Sequence, residues 1–317
     1  MHGLTRTARA PAPRRRTHGR TVACAAAAFA WAHGEAHLPA GAGRTAPTFA
    51  WSFEPWILVL LAASMALYAL GAARLWRRAG AGRGLGTAAV AAWTTGWGTL
   101  VGALVSPLDP LGESLFSAHM LQHELLMVVA APLLVLGRPL AAWTWALPAA
   151  WRPRVGAATR RPGWRRFWGR LTHPLTAWGL HALALWGWHL PWLFEAALDH
   201  PVVHALQHAS FLGTALLFWW TTLGGQRRPL RGAAIASLFT TMLHTGALGA
   251  LMTLSPLLWY GHYAATSAPY GMDPLADQQL GGLIMWIPAS VAYLAVGLAL
   301  VARALSVRAP AASAPPC

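Results

Sequence analysis

Lysine is missing altogether from this 317-residue chain: all 24 basic residues are arginine. A retinal-type Schiff base, which needs a lysine amine, is therefore excluded. Cysteine is nearly as scarce. Cys24 lies in the N-terminal leader and Cys317 is the last residue, so there is no CxxC and no pair for a disulfide framework. Thiolate metal binding and dithiol redox chemistry fall with them. Only 9 residues are acidic, and charged residues of both signs make up 10% of the chain, less than half the usual share in soluble domains. In their place stand 56% hydrophobic residues, 19 tryptophans and a mean hydropathy of +0.42. This is the composition of a polytopic membrane protein.

The N-terminal Arg14-Arg15-Arg16 cluster and Arg20 precede an apolar run from Val22 to Ala32 that is too short to span a bilayer. With Ala30-Trp31-Ala32 as an A-x-A cleavage site, residues 1–32 read as a signal peptide. Residues 33–54 follow as a Gly/Pro-rich external tail. Seven apolar segments then approach the ~20 residues that a membrane crossing requires. They lie at 55–76, 86–105, 115–137, 175–194, 201–223, 232–254 and 280–302. The fold class is thus all-α, a seven-helix transmembrane bundle over 55–303, with a short tail at 304–317.

Arginine sets the orientation. Arg74, Arg77, Arg78 and Arg83 follow the first segment, eight arginines from Arg138 to Arg170 follow the third, and Arg227, Arg228 and Arg231 follow the fifth. Arg303 and Arg308 follow the last. The alternate loops hold Asp109, Glu113, Glu195, Asp199, Asp273 and Asp277 and no arginine. The positive-inside rule places the N-terminus outside and the C-terminus in the cytoplasm of a bacterial inner membrane. The net charge of +15 then belongs to orientation and to anionic membrane lipids, not to nucleic acid. The Trp- and Arg-rich stretch from Pro139 to Pro174 suits an interfacial helix.

Against this apolar background the histidines stand out. His119 and His123 are spaced i, i+4 on one helix face, and His204 and His208 repeat the spacing. His189 and His244 lie at similar depth, and Met120 is beside the first pair. Buried imidazoles serve as interhelical hydrogen bonds, the simpler reading for His181. Ionisable groups inside a membrane are also functional sites by default, and neutral imidazole suits copper, zinc and iron. His119, His123, His189, His204, His208, His244 and Met120 are accordingly the expected metal ligands. Glu124, Gln122, Gln207, Asp277 and Gln278 are the expected partners that orient them. Residues eight apart on a helix are separated by about 12 Å. One ion can take His119 and His123, so using the whole set needs more than one site.

Several stretches resemble the CtaG family of cytochrome c oxidase assembly factors, of the multi-span type associated with caa-type oxidases. They are HMLQHELLMVVAAPLLVLGRP (His119–Pro139), HPLTAWGLHALALWGWHLPWLFEAAL (His173–Leu198), DHPVVHALQHASFLGTALLFW (Asp199–Trp219) and DPLADQQLGGLIMWIPAS (Asp273–Ser290). The similarity spans roughly residues 50–303, and the HMxQH and DQQLGGLIMW motifs are the specific ones. The resemblance implies a seven-helix inner-membrane protein needed to assemble active haem-copper oxidase, with a link to copper. It carries over His119, His123, His204 and His208, with Asp277 and Gln278 at the entrance of the last helix. The ligand roles rest on spacing and depth, because the resemblance supplies no ligand set.

Three functions follow as expectations. The first is a non-enzymatic assembly factor that binds copper through His and Met in the outer half of the membrane. Its partners would be cytochrome c oxidase subunits, periplasmic copper chaperones and membrane lipids. The second is a membrane b-type cytochrome with histidine axial ligands. The third is an intramembrane metal-dependent hydrolase, for which no HExxH or H-x-E…C-x-x-C pattern is present.

Overall fold

In a computed structural model of the protein, residues 49–224 and 231–306 are described. The expected signal peptide, most of the expected external tail and most of the last tail lie outside them. Every regular element among the described residues is helical, with no strand among them. The elements are α1 (Pro55–Ala79), α2 (Thr87–Leu104), α3 (Leu108–Ser114), α4 (Phe116–Leu136), α5 (Pro139–Ala146), α6 (Arg152–Arg160), α7 (Pro162–Leu171), α8 (Pro174–Trp188), α9 (Pro191–Asp199), α10 (Pro201–Leu223), α11 (Arg231–Leu254), α12 (Tyr263–Thr266) and α13 (Pro274–Ser306). Seven of these begin with Pro (α1, α5, α7, α8, α9, α10 and α13), where the missing N–H costs no helical hydrogen bond.

Five helices are long and apolar enough to cross a membrane: α1, α4, α10, α11 and α13. A sixth crossing results if α2 and α3, bent by 43° at their junction, count as one. The fourth sequence segment, expected as a continuous span over 175–194, is instead two helices. α8 has 15 residues and rises only about 22 Å. It ends at Trp188, with His189 as its C-cap, because Pro191 has no N–H with which to continue the ladder, and Pro191 starts α9 as a separate helix. The last helix is longer than hydropathy indicates, 33 residues from Pro274, since polar Asp277, Gln278 and Gln279 occupy its first turns. The interfacial stretch resolves into α5, α6 and α7.

α4 is the central helix. Its most apolar window is 61% buried, against 17–39% for the other spans. On one side it packs with α8–α11 and α13 around Phe194, Phe211, Phe218, Trp219 and Tyr260. On the other it meets α1, α2 and α5 around Tyr68, Trp93 and Leu100. Glycine permits the closest crossings. A Cβ at Gly281 of α13 would stand 2.3 Å from the Phe116 ring, and one at Gly249 of α11 would stand 2.8 Å from the Gly282 carbonyl oxygen. Outward-facing Leu175 and Leu183 on α8 are each 70% exposed, as lipid contact requires.

Residues Leu125–Ala130 of α4 form a π-helical turn. It precedes Pro132, whose ring cannot sit under an ordinary α-helical carbonyl four residues back. The Met127 carbonyl in this turn accepts a 2.8 Å bond from the indole Nε1–H of buried Trp219.

Candidate metal centre

The first turn of α4 is fixed from another helix. Leu115 at its N-cap offers no side-chain acceptor. The Asp277 carboxylate of α13 takes that place, accepting the backbone N–H of Phe116 at 2.6 Å and of Ser117 at 3.1 Å, and the Ser117 hydroxyl at 2.5 Å. A carboxylate at the positive end of a helix is favourable electrostatically as well. Gln278, next to it, accepts from the Trp259 N–H at 2.6 Å and donates to the Leu257 carbonyl at 3.0 Å, which ties down the loop between α11 and α13. Both residues therefore act mainly on backbone, Asp277 with the Ser117 hydroxyl besides, and Asp277 reaches the histidines through the helix that bears them.

One turn into α4, His119 is fully buried. Its Nδ1 faces the Gly112 carbonyl at 3.2 Å, so Nδ1 holds the proton and Nε2 presents a lone pair. Gly112 is where α3 lies closest to α4: a Cβ there would be 3.3 Å from both the His119 Cα and the Gln122 Oε1. Gln122 in turn donates to the Ala103 carbonyl and the Asp109 carboxylate, both at 2.8 Å.

Across from this face, α10 presents His204 and His208. Ligand-capable atoms of His119, His204 and His208 all lie within 4.8 Å of one another. His123 adjoins this trio, its ring centroid 4.3 Å from that of His119 and 5.3 Å from that of His208. His189 is further off, 6.4 Å from His123, with its Nδ1 bonded to the Leu185 carbonyl at 2.6 Å. The three-ligand grouping thus does not include both His119 and His123. It combines one imidazole of α4 with the i, i+4 pair of α10.

The chemistry of this donor set is that of a transition-metal site. The Nε2 atoms of His119, His189, His204 and His208 and both ring nitrogens of His123 are buried without a hydrogen-bond partner. So are both side-chain polar atoms of Gln207, between the α10 histidines. Each such orphan costs roughly 1–3 kcal/mol, and one cation satisfies several of them together. Fixed Nδ1–H tautomers at His119 and His189 aim the remaining lone pairs inward. The His119–His204–His208 set can hold a metal ion.

The other expected ligands lie elsewhere. His244 of α11 packs against Trp178 with ring centroids 5.8 Å apart. Met120 points to α13, near Gly281. Glu124 is buried deeper, an electrostatic neighbour of Tyr293, with Oε2 unpartnered. His181 bonds Thr214 at 3.2 Å and stacks on Phe218, the arrangement of an interhelical hydrogen bond.

Sequence reasoning missed the roof of the site. Phe194 lies 4.9 Å from the His119 ring and stacks on Tyr260 at 4.2 Å. Tyr260 donates to the His189 carbonyl at 2.9 Å, and Tyr263 to the Gly112 carbonyl at 3.0 Å. Burial pushes both phenols above their ordinary value, so they remain protonated donors. The spacing of these aromatics follows no helical period, and only the closed loop brings them over the histidines.

The sequence pattern of the cytochrome c oxidase caa3 assembly factors, the CtaG family, matches residues 66–306. This chain belongs to that family. Its members are assembly factors rather than enzymes. Uncharacterized proteins of Mycobacterium bovis and Mycobacterium tuberculosis are each 31% identical to it over 243 residues, covering 74% of this chain and 36% of theirs. An uncharacterized protein of Mycobacterium leprae is 30% identical over 225 residues, 67% of this chain and 33% of its own. The chain spans about a third of the length of these curated relatives. No solved structure matches it. The CtaG-family chain is a multi-pass α-helical membrane protein whose described bundle contains a histidine site able to hold a metal ion.

Proposed function

We propose that this CtaG-family protein binds copper through His119, His204 and His208, with His123 and His189 beside them, and passes it to a cytochrome c oxidase subunit during assembly. The observation that carries the reading is the convergence of three imidazoles from two helices within 4.8 Å, with their Nε2 atoms buried and unpartnered. Imidazole holds copper well, and a thiol-free site resists oxidation. Copper is cargo here, received from periplasmic copper chaperones and released to the oxidase.

The orientation that fits this role has the carboxylate-bearing loops outside and the arginine-rich ends in the cytoplasm, with seven crossings if α8–α9 forms a broken span. His204, only partly buried, lies near Asp109, and these two mark the approach from the outer face. A b-type cytochrome is less well supported. A porphyrin needs a flat slot between its axial histidines, whereas these rings contact one another at centroid distances of 4.2–6.4 Å.

The test is elemental analysis of the purified protein beside a His204→Ala/His208→Ala variant, with oxidase activity measured in the strains that produce them. The expected result is copper in the wild type, loss of it in the variant, and loss of oxidase activity at normal transcript level. Equal copper in both proteins would overturn the assignment. A Soret band would replace it with the cytochrome reading.

A further inference from the structure

A second binding site lies at the opposite, arginine-rich end of the bundle. Arg165, Arg166, Gly169 and Arg170 of α7, with His173 and Thr176 at the start of α8, line a cleft of about 330 Å³. We infer that this cleft binds the phosphodiester headgroup of an anionic phospholipid.

α7 is divided cleanly by its helical period. Trp164, Phe167, Trp168 and Leu171 fall on one side, and Arg165, Arg166, Gly169 and Arg170 on the other. The aromatic side is built for the headgroup boundary. Trp164 stacks on Trp168 at 6.0 Å, Trp168 meets Trp220 of α10 at 6.2 Å, and Trp164 and Phe167 remain exposed. α7 is thus held against the bundle with its arginine face turned to the cleft.

No acidic residue near that face in the sequence supplies its counter-charge. No Asp or Glu occurs between Glu124 and Glu195. Glu195 bonds the Gly261 N–H in the loop that covers the histidine site, and Glu124 is buried beside Tyr293. Three guanidinium groups are suited to phosphate oxygens, which they bind in paired fashion. Gly169 sits among them, and a Cβ there would meet nothing within 4 Å, so the absent side chain leaves the floor open. The adjoining lipid-exposed aromatics favour a headgroup that arrives with acyl chains over free phosphate.

Full-length protein in detergent, titrated with phosphatidylglycerol, phosphatidylcholine or inorganic phosphate and read by native mass spectrometry, tests this. Phosphatidylglycerol is expected to bind as a discrete adduct, well ahead of phosphatidylcholine. Arg165→Gln/Arg166→Gln/Arg170→Gln should weaken it by roughly a hundredfold, each surface arginine contributing about a factor of five. Gly169→Leu, which fills the cleft without altering charge or helix propensity unfavourably, should weaken it comparably. Arg154→Gln/Arg160→Gln/Arg161→Gln removes equal charge outside the cleft and should leave binding nearly intact. Equal loss in that control, or wild-type binding by Gly169→Leu, would reduce the effect to diffuse charge and overturn the site. Equal affinity for phosphatidylcholine, or phosphate binding as tightly as the lipid, would overturn it too.

Discussion

Asp277 and Phe116 are 161 positions apart in the chain, yet the carboxylate of one accepts the backbone N–H of the other at 2.6 Å. That bond joins the start of the last helix to the start of the central one. His119 sits three residues beyond Phe116, so the contact fixes where its imidazole enters the bundle.

Replacing Asp277 with Ala leaves two backbone N–H groups and a hydroxyl buried without their acceptor. The loss should be about 2–4 kcal/mol, seen as a lower thermal midpoint in detergent by tryptophan fluorescence. Copper retention should fall as well. Asp277→Asn, which keeps one acceptor oxygen, should lie between.

The histidines should separate into two classes by metal titration. His119→Ala, His204→Ala and His208→Ala each remove a ligand of the close trio and should weaken copper binding by at least about tenfold. His244→Ala, whose ring packs on Trp178, should change it little. A uniform response across the four variants would contradict the geometry.

Gly281→Ala should be severe for its size. Its Cβ would lie 2.3 Å from the Phe116 ring, and that ring is confined by Phe194, Tyr260 and Tyr263. Overpacking of this kind costs about 1–3 kcal/mol or more. Gly297→Ala on the same helix, where nothing lies within 4 Å, is the matched control and should be neutral or slightly stabilising in the same thermal assay.

Stability should also depend on alkaline pH through the loop between α11 and α13. Tyr260 and Tyr263 have their phenols pushed above the ordinary value near 10, chiefly by burial. The folded state therefore prefers the protonated form. That contribution is complete below pH 10 and is lost as pH rises beyond it. Thermal midpoints should hold from pH 7 to 9 and drop above 10, and Tyr263→Phe should cost about 1 kcal/mol below pH 9 while lessening the drop above 10.

Much of this arrangement was legible in advance. The i, i+4 spacing of His119 with His123 and of His204 with His208 is a local property, and helical periodicity alone puts each pair on a face. Which faces meet is not local. The trio draws on α4 and α10, and no spacing within either helix indicates that His119 is the α4 residue whose ligand atom comes within 4.8 Å of both α10 histidines. Hydropathy located the spans but misplaced two ends: Pro191 interrupts an apolar run that reads as continuous, and the polar first turns of α13 read as loop. Asp277 and Gln278 stood out as polar residues at a helix entrance. Their partners are mostly backbone groups, which a sequence does not display. The Gly112 carbonyl escaped notice for the same reason.

The wide turn at Leu125–Ala130 gives one circuit of α4 an additional residue. An α-helix advances about 100° per residue, so trimming a single position there would swing everything above it by that angle relative to everything below. With the lower half anchored by the Met127–Trp219 bond and the upper half by Asp277, His119 and His123 could no longer face α10 without breaking one anchor. The register of the metal-facing stripe thus depends on a local irregularity of backbone that begins just past His123.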